Sequence, residues 1–206
     1  MGGETRRVIV ATTNRGKLAE IRSVLDIPGY EFVTAADLGM PTLDVAETGE
    51  TFTDNAYLKA AAYREQFGLA ALADDSGLVV DALGGRPGVR SARFAGGHAS
   101  DADNTRKLLE ELDGFGTEMR AARFQCAVVF LDEWGEAVAA CGLCEGKIGL
   151  SPRGSGGFGY DPVFLPEETP GRTMAELDMR EKNLISHRGG ALRALRDELL
   201  EEGTVE

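Results

Sequence analysis

Phe52, Ala56, Ala60, Tyr63 and Phe67 fall at i, i+4, i+8, i+11 and i+15, one continuous apolar stripe along a helix. Leu69 to Leu72 follows at once as an apolar run with strand character, and Gly77 to Val80 resumes it after the interruption Asp74-Asp75-Ser76. A strong amphipathic helix that turns straight into strand commits the chain to an α/β fold, a sheet flanked by helices. The rest of the sequence alternates in the same way. Arg7 to Thr12 is a short apolar run ending in polar residues, and beyond Gly16-Lys17 the spacing of Leu18, Ile21 and Leu25 predicts a helix. Another helix is expected from about Asp103 to Leu112, capped by Ser100 or Asp101, and a last one carries Leu192, Leu195 and Leu199 on one side. Arg123 to Asp132 and Glu136 to Ile148 are β-rich and joined by the short turn Glu133-Trp134-Gly135, which predicts an antiparallel hairpin and makes the sheet mixed. Leu150 to Gly159, rich in Gly, Ser and Pro, predicts a mobile loop before a short strand at Asp161 to Leu165. With 206 residues and 43% hydrophobic content, the chain is expected to fold as a single domain over 1–206, in one or two intimately packed lobes.

The formal net charge of −12 argues against nucleic acid as a partner, because a phosphate backbone rewards clustered Lys and Arg. A small anion can still be held by a local nest of cations and backbone N–H groups. No run of about 18 apolar residues occurs, so no membrane partner is expected. The polar stretch Met1 to Arg7 lacks the apolar segment of a secretory signal, and the chain reads as cytoplasmic. Cys126, Cys141 and Cys144 are too few for a disulfide scaffold. On a strand, the spacing of Cys141 and Cys144 sends them to opposite faces, so they read as structural rather than as a metal or redox pair.

Four segments carry chemistry. Thr12-Thr13-Asn14-Arg15-Gly16-Lys17 lies where a strand's carboxyl end meets a helix start, a place whose N–H groups and dipole attract anions. It is not a P-loop, which would need Gly at position 11 and Ser or Thr at 18, where this chain has Ala11 and Leu18. Asp74-Asp75 sets two carboxylates in an apolar stretch, where an unpaired charge is costly. Adjacent strand residues face opposite ways, so one of the two aims at a given cleft, and either could serve. Carboxylates so placed want a cation. Mg²⁺ takes hard oxygens, and Glu47 in Glu47-Thr48-Gly49 is a candidate second ligand. Gly154 to Asp161 combines flexible glycines with Phe158 or Tyr160 as a stacking face and Asp161 as an acceptor. Finally, Lys182, His187 and Arg188 cluster before an amphipathic helix, donors suited to an anion or a purine edge.

The stretches ATTNRGK, ETGETFTDNAYLKA, ADDSGLVVDALGGRPGVRSARFAG, GGFGYDPVF and EKNLISHRGGAL closely resemble those of the inosine triphosphate pyrophosphatase family, in the family's order and across residues 11 to 192. The resemblance implies an elongated mixed β-sheet flanked by helices, two lobes around a deep central cleft, and a homodimer. It implies hydrolysis of dITP, ITP and XTP between the α- and β-phosphates with Mg²⁺. By the same resemblance Thr12, Thr13, Asn14, Arg15, Gly16 and Lys17 would bind triphosphate and sugar, with Lys17 on phosphate. Asp75 would be the general base and, with Glu47, a metal ligand, while Ser76 touches substrate. Phe158, Gly159, Tyr160 and Asp161 would clasp the base, Phe158 by stacking, and Lys182, His187 and Arg188 would complete the base and phosphate contacts. Donors from His187 or Arg188 to the 6-oxo oxygen of the base would reject adenine, whose 6-amino group is itself a donor. One departure from the family pattern is Asp54, where members often carry Glu. The same reading leaves open whether Lys59, beside the helical stripe, reaches phosphate or solvent.

Overall fold

Residues 5–202 are described in a computed structural model of the protein. The beginning of the polar stretch that weighs against a secretory signal, Met1 to Glu4, lies outside the described residues. Among the described residues six strands, β1 (Arg6–Val10), β2 (Tyr30–Val33), β3 (Ala70–Val80), β4 (Ala121–Leu131), β5 (Ala137–Ile148) and β6 (Phe164–Pro166), are interspersed with five α-helices. These are α1 (Arg15–Val24), α2 (Phe52–Phe67), α3 (Asp101–Glu111), α4 (Met179–Ile185) and α5 (His187–Glu202). The hydrogen-bonded strand order is β2-β1-β3-β4-β5-β6; β1 runs parallel to β2 and β3, while β5 and β6 pair antiparallel. The sheet is therefore mixed and flanked by helices, as expected. Among the described residues no helix is long and apolar enough to cross a membrane.

The described residues form two compact units, one comprising 5–75, Cys126–Gly142 and 188–202, the other Ser76–Gln125 and Leu143–His187. In the first, strand alternation sorts side chains to two faces. Val8, Val10, Leu72, Cys126, Val128 and Phe130 pack with Ile21 and with Leu192, Leu195 and Leu199 of α5. Ile9, Ala71, Ala73, Val129 and Leu131 pack on the other face against Ala56, Ala60 and Tyr63 of α2. The stripe that predicts α2 is thus the seam that buries it, and each fully buried Leu or Ile contributes about 1.5–3 kcal/mol. Thr51 caps α2 by accepting from Asp54 N, the Asp54 carboxylate accepts from Thr51 N, and Gly68 closes the helix in the left-handed region. In the second unit Leu78 and Val80 of β3, Phe124 of β4 and Cys144 of β5 close over Leu108 of α3, over Leu112 just past its end, and over Tyr160, Val163 and Phe164.

The sequence places a break at Asp74-Asp75-Ser76, yet β3 runs through it unbroken. A polar Asp-Asp-Ser cluster between apolar runs reads as an interruption, and the partners described below let both carboxylates stay within the strand. The short strand begins at Phe164 rather than Asp161, because Asp161 to Val163 are turned back by hydrogen bonds from Val163 N and Phe164 N to Tyr160 O. Around Gly154 to Gly159, where a mobile loop is predicted, Arg153 N donates to Pro162 O at 2.8 Å and Gly156 N to Ala175 O at 3.0 Å. Cys141 is exposed and Cys144 buried, the opposite faces that their spacing requires, and no disulfide joins the cysteines.

Candidate active site

Strand alternation gives the two carboxylates of β3 separate surroundings in the first unit. Asp74, 2% exposed, has its Oδ2 3.0 Å from Lys17 Nζ and accepts a 2.9 Å hydrogen bond from Arg188 Nε. Arg188, 1% exposed, also donates from Nη1 to Glu20 Oε2. Burial alone would raise the Asp74 pKa, but Lys17, Arg188 and Lys59 outweigh it and hold the carboxyl well below the usual range. Burial likewise opposes the charge on Arg188, and Asp74, Cys126 and Glu20 reverse that and raise its pKa. Asp74 is therefore a permanent anion inside a ring of cations.

Asp75 differs. Its Oδ2 accepts from Asn55 Nδ2 at 3.2 Å, and its Oδ1 lies 3.4 Å from Lys59 Nζ, which donates to Glu47 Oε1 at 3.0 Å. Burial raises the Asp75 pKa, Glu47 adds to the rise, and Lys59, Lys17 and Asn55 offset it only in part. The Lys59 pKa is raised too: burial works against its charge, and Asp74, Asp75 and Glu47 prevail. Asn55 and Lys59 stand one turn apart on α2, so a single helix face serves both groups. Asn55 also accepts from Gly49 N at 2.8 Å and so fixes the loop that carries Glu47. A Cβ at Gly49 would fall 2.5 Å from Asp54 Cβ and 2.8 Å from Asn55 Oδ1, so glycine is what allows the loop to approach this closely. Asp54 itself is occupied with the α2 cap.

At the start of α1, Asn14 Oδ1 accepts from Gly16 N and Lys17 N at 2.9 and 3.1 Å, and Asn14 N donates to Thr12 Oγ1 at 3.2 Å. Two of the helix's free N–H groups are thereby capped by the chain itself. Thr13, Asn14 and Arg15 are exposed, while Thr12, Gly16 and Lys17 are half-buried.

The second unit gathers the other predicted residues. Asp161 Oδ2 accepts from Lys182 Nζ at 2.8 Å and from Phe158 N at 2.9 Å, and the Lys182 ammonium lies 4.5 Å from the Phe158 ring centre. His187 is buried with its imidazole stacked on Phe124, ring centres 4.7 Å apart at 11°. Tyr160 is also buried, its hydroxyl donating to Ser91 O at 2.9 Å, and burial pushes its pKa up. Of the two aromatic candidates, Phe158 is the half-buried one, and Ser76 is half-buried as well. Gly157, at φ +73°, brings the loop so close that a Cβ would lie 2.0 Å from Asp161 Oδ2. Gly159 N donates to Asp101 Oδ2 at 2.7 Å, and a cavity of about 840 Å³ opens beside Phe158 and Gly159, lined by Asp101, Thr105 and Leu109 of α3. That volume lies within the range of small-molecule sites.

Lys17, Asp74 and Arg188 thus come together in the first unit, as do Glu47 and Asp75; Phe158, Asp161 and Lys182 come together in the second. Two residues of these clusters, Glu20 and Asn55, escape the sequence reading, and a third, Lys59, is named there with its destination left open. Glu20 stands three residues after Lys17 on α1, a spacing that shares a helix face. Asn55 and Lys59 are visible beside the α2 stripe, but nothing in the sequence says what they meet.

Relatives have the same dimensions as this chain. The dITP/XTP pyrophosphatase of Geobacillus kaustophilus is 50% identical over 198 residues, covering 96% of this chain and 95% of its own. A HAM1 protein structure from Coxiella burnetii matches with a TM-score of 0.85 at 42% identity, covering 95% of this chain and 99% of that one. A structure from Mycobacterium abscessus described as a nucleoside-triphosphatase and dITP/XTP pyrophosphatase matches at 0.74 and 45% identity, covering 94% and 99%. The Ham1 family profile spans residues 8–198, and the chain belongs to the Ham1 family.

Proposed function

We propose that the protein hydrolyses non-standard purine nucleoside triphosphates such as dITP, ITP and XTP to the monophosphate and pyrophosphate, and so removes deaminated purines from the nucleotide pool. The observation that carries this reading is the contrast between neighbouring carboxylates. Asp74 is held ionised by cations while the pKa of Asp75 is pushed up, and environments that drive paired groups apart divide acid–base roles between them. Names of relatives that match nearly end to end supply the substrate class.

In this mechanism Asp75 takes a proton from water as the water oxygen bonds to the α-phosphorus. The bond from that phosphorus to the bridging oxygen breaks, and pyrophosphate leaves with its electron pair. Lys17 neutralises phosphate charge, and Asp74 with Arg188 keeps its ammonium in place. The residues of the helix α1 entry, Thr12 to Lys17, take the triphosphate and sugar, and Ser76 touches substrate. Phe158 stacks on the purine; Asp161 acts through Lys182 and the Phe158 backbone, and His187 supplies a donor to the 6-oxo group. Arg188, buried between Asp74 and Glu20, serves by ordering charge around Lys17.

Mg²⁺ is the proposed cofactor. Among the described residues no group of three or more His, Cys, Asp and Glu could hold a metal, but Mg²⁺ is satisfied by one or two carboxylates with water and phosphate. Glu47 and Asp75, two hard-oxygen donors that already share one ammonium, fit that demand. Bound there, the ion supplies charge neutralisation and acidifies water. We further propose that the two units act as one catalytic domain, in a cytoplasmic homodimer.

The experiment is a product assay with Mg²⁺ over ITP, dITP, XTP, dGTP and ATP. Pyrophosphate is expected from the first three at rates at least 100-fold above the last two. Orthophosphate in its place, or equal rates on ATP, overturns the reading.

A further inference from the structure

Lys59 emanates from α2 into the space between Glu47 and Asp75, with its side chain only 12% exposed and its Nζ 3.0 and 3.4 Å from one oxygen of each. We propose that Lys59 is a built-in substitute for the divalent cation. It holds the two carboxylates together while the metal is absent, and leaves them when the metal arrives. This rests on the reading of Glu47 and Asp75 as metal ligands.

The geometry makes the two cations exclusive. An ion about 2.0–2.1 Å from Glu47 Oε1 could lie no more than about 5 Å from Nζ. Like charges that close in a partly dry site repel strongly, so the ammonium gives way. Its flexible four-carbon stem allows this, whereas Arg, with a planar fork, would be harder to displace. The carboxylates keep their places when it moves. Asn55 Nδ2 still holds the second oxygen of Asp75, and Asn55 Oδ1 still holds Gly49 N beside Glu47, so the ligands are prearranged by amide hydrogen bonds independent of Lys59. The exchange also shifts the local charge by the two units the metal brings. Before loading, one ammonium offsets half the charge of the carboxylate pair; after loading, the divalent ion offsets all of it, and the released ammonium is available to an anionic substrate.

The test uses metal-free protein and Mn²⁺ as the probe, without nucleotide. Lys59→Met should bind Mn²⁺ at least tenfold more tightly than the unaltered protein, and Glu47→Gln in that background should abolish the gain. Metal-free Lys59→Met should melt below the unaltered protein, with the gap closing at saturating Mn²⁺. In unaltered protein labelled with ¹⁵N-lysine, the Lys59 Nζ resonance, assigned by its absence from the variant, should be present without metal and be lost on adding Mg²⁺. This last readout follows the unaltered protein through metal addition, the variant serving only to assign the resonance. Equal or weaker Mn²⁺ binding by Lys59→Met, or a Lys59 resonance that persists at saturating Mg²⁺, overturns the role given to Lys59. If Glu47→Gln nevertheless abolishes binding, the metal reading itself stands. Binding indifferent to Glu47→Gln, or absent from both proteins, removes the metal reading and the proposal with it.

Discussion

Replacing Asp74 by Asn keeps the shape of the side chain and removes its charge. In the folded protein that charge is met at 3.0 Å by Lys17 Nζ and at 2.9 Å by Arg188 Nε, with the carboxylate 2% exposed. Arg188 retains Glu20, but Lys17 is left half-buried with no carboxylate in the place of Asp74. Removing one partner of a buried ion pair costs about 3–5 kcal/mol. With about 2.1 cal/mol/K of unfolding entropy per residue over 206 residues, Tm should fall by about 7–12 °C. The pH dependence follows from the direction of the shift. Folded Asp74 binds its proton less tightly than the ordinary value of 3.8, so the stability it contributes is complete above that value and disappears as pH falls through the folded pKa. Calorimetry in metal-free, nucleotide-free buffer should therefore show the same Tm gap at pH 7 and pH 5, narrowing only below about pH 4. A loss of under about 2 °C at pH 7, or a gap that already shrinks between pH 7 and 5, refutes the assignment of a buried, ionised Asp74.

Asp75→Asn should behave in the opposite sense: a raised folded pKa means that the ionised group stabilises less as pH rises through it, so at pH 7 the variant should melt at or above the unaltered protein. Its pyrophosphate release should nonetheless fall by about 10²–10⁴-fold while nucleotide still binds; retained turnover removes Asp75 as base. Gly157→Ala strains a left-handed position and drives a Cβ to 2.0 Å from Asp161 Oδ2, which should cost about 1–3 kcal/mol and raise KM more than it lowers kcat. An aromatic disulfide reagent at pH 8 should modify one thiol of the folded protein, Cys141, and all three after denaturation, because burial pushes Cys126 and Cys144 up to about 12. Rapid native reaction of Cys126 would contradict its burial.

Helix α2 is legible from its five-residue apolar stripe, a local signal, and the structure adds the Thr51 cap and the Gly68 stop at its ends. The hairpin of β4 and β5 is legible for the same reason, with Asp132 Oδ1 gathering the N–H groups of Trp134, Gly135 and Glu136. What local signals do not carry is the company a charge keeps. Asp74 and Asp75 look alike and suggest a break, and only residues far along the chain, Arg188 and Lys17 for one, Asn55 and Lys59 for the other, make an unbroken strand affordable and the two groups unlike. Residue type alone leaves Tyr160 and Phe158 equal as stacking candidates, and only the family resemblance favours Phe158. The hydrogen bond from the Tyr160 hydroxyl to Ser91 O is what assigns Tyr160 to the core.

The unbroken course of β3 constrains which genetic changes this enzyme can survive. Deleting or inserting one residue between Ala70 and Asp74 would shift every later side chain to the other face. After a deletion Asp75 would stand beside Lys17 and Arg188 and Ser76 would face Lys59; after an insertion Asp74 would face Lys59 and Ala73 would stand beside Lys17 and Arg188, with both aspartates still present in the sequence. A chain so altered would keep its composition and most of its motifs while losing the difference between the two acids. Substitutions along this strand can be graded in effect, but changes in its length cannot.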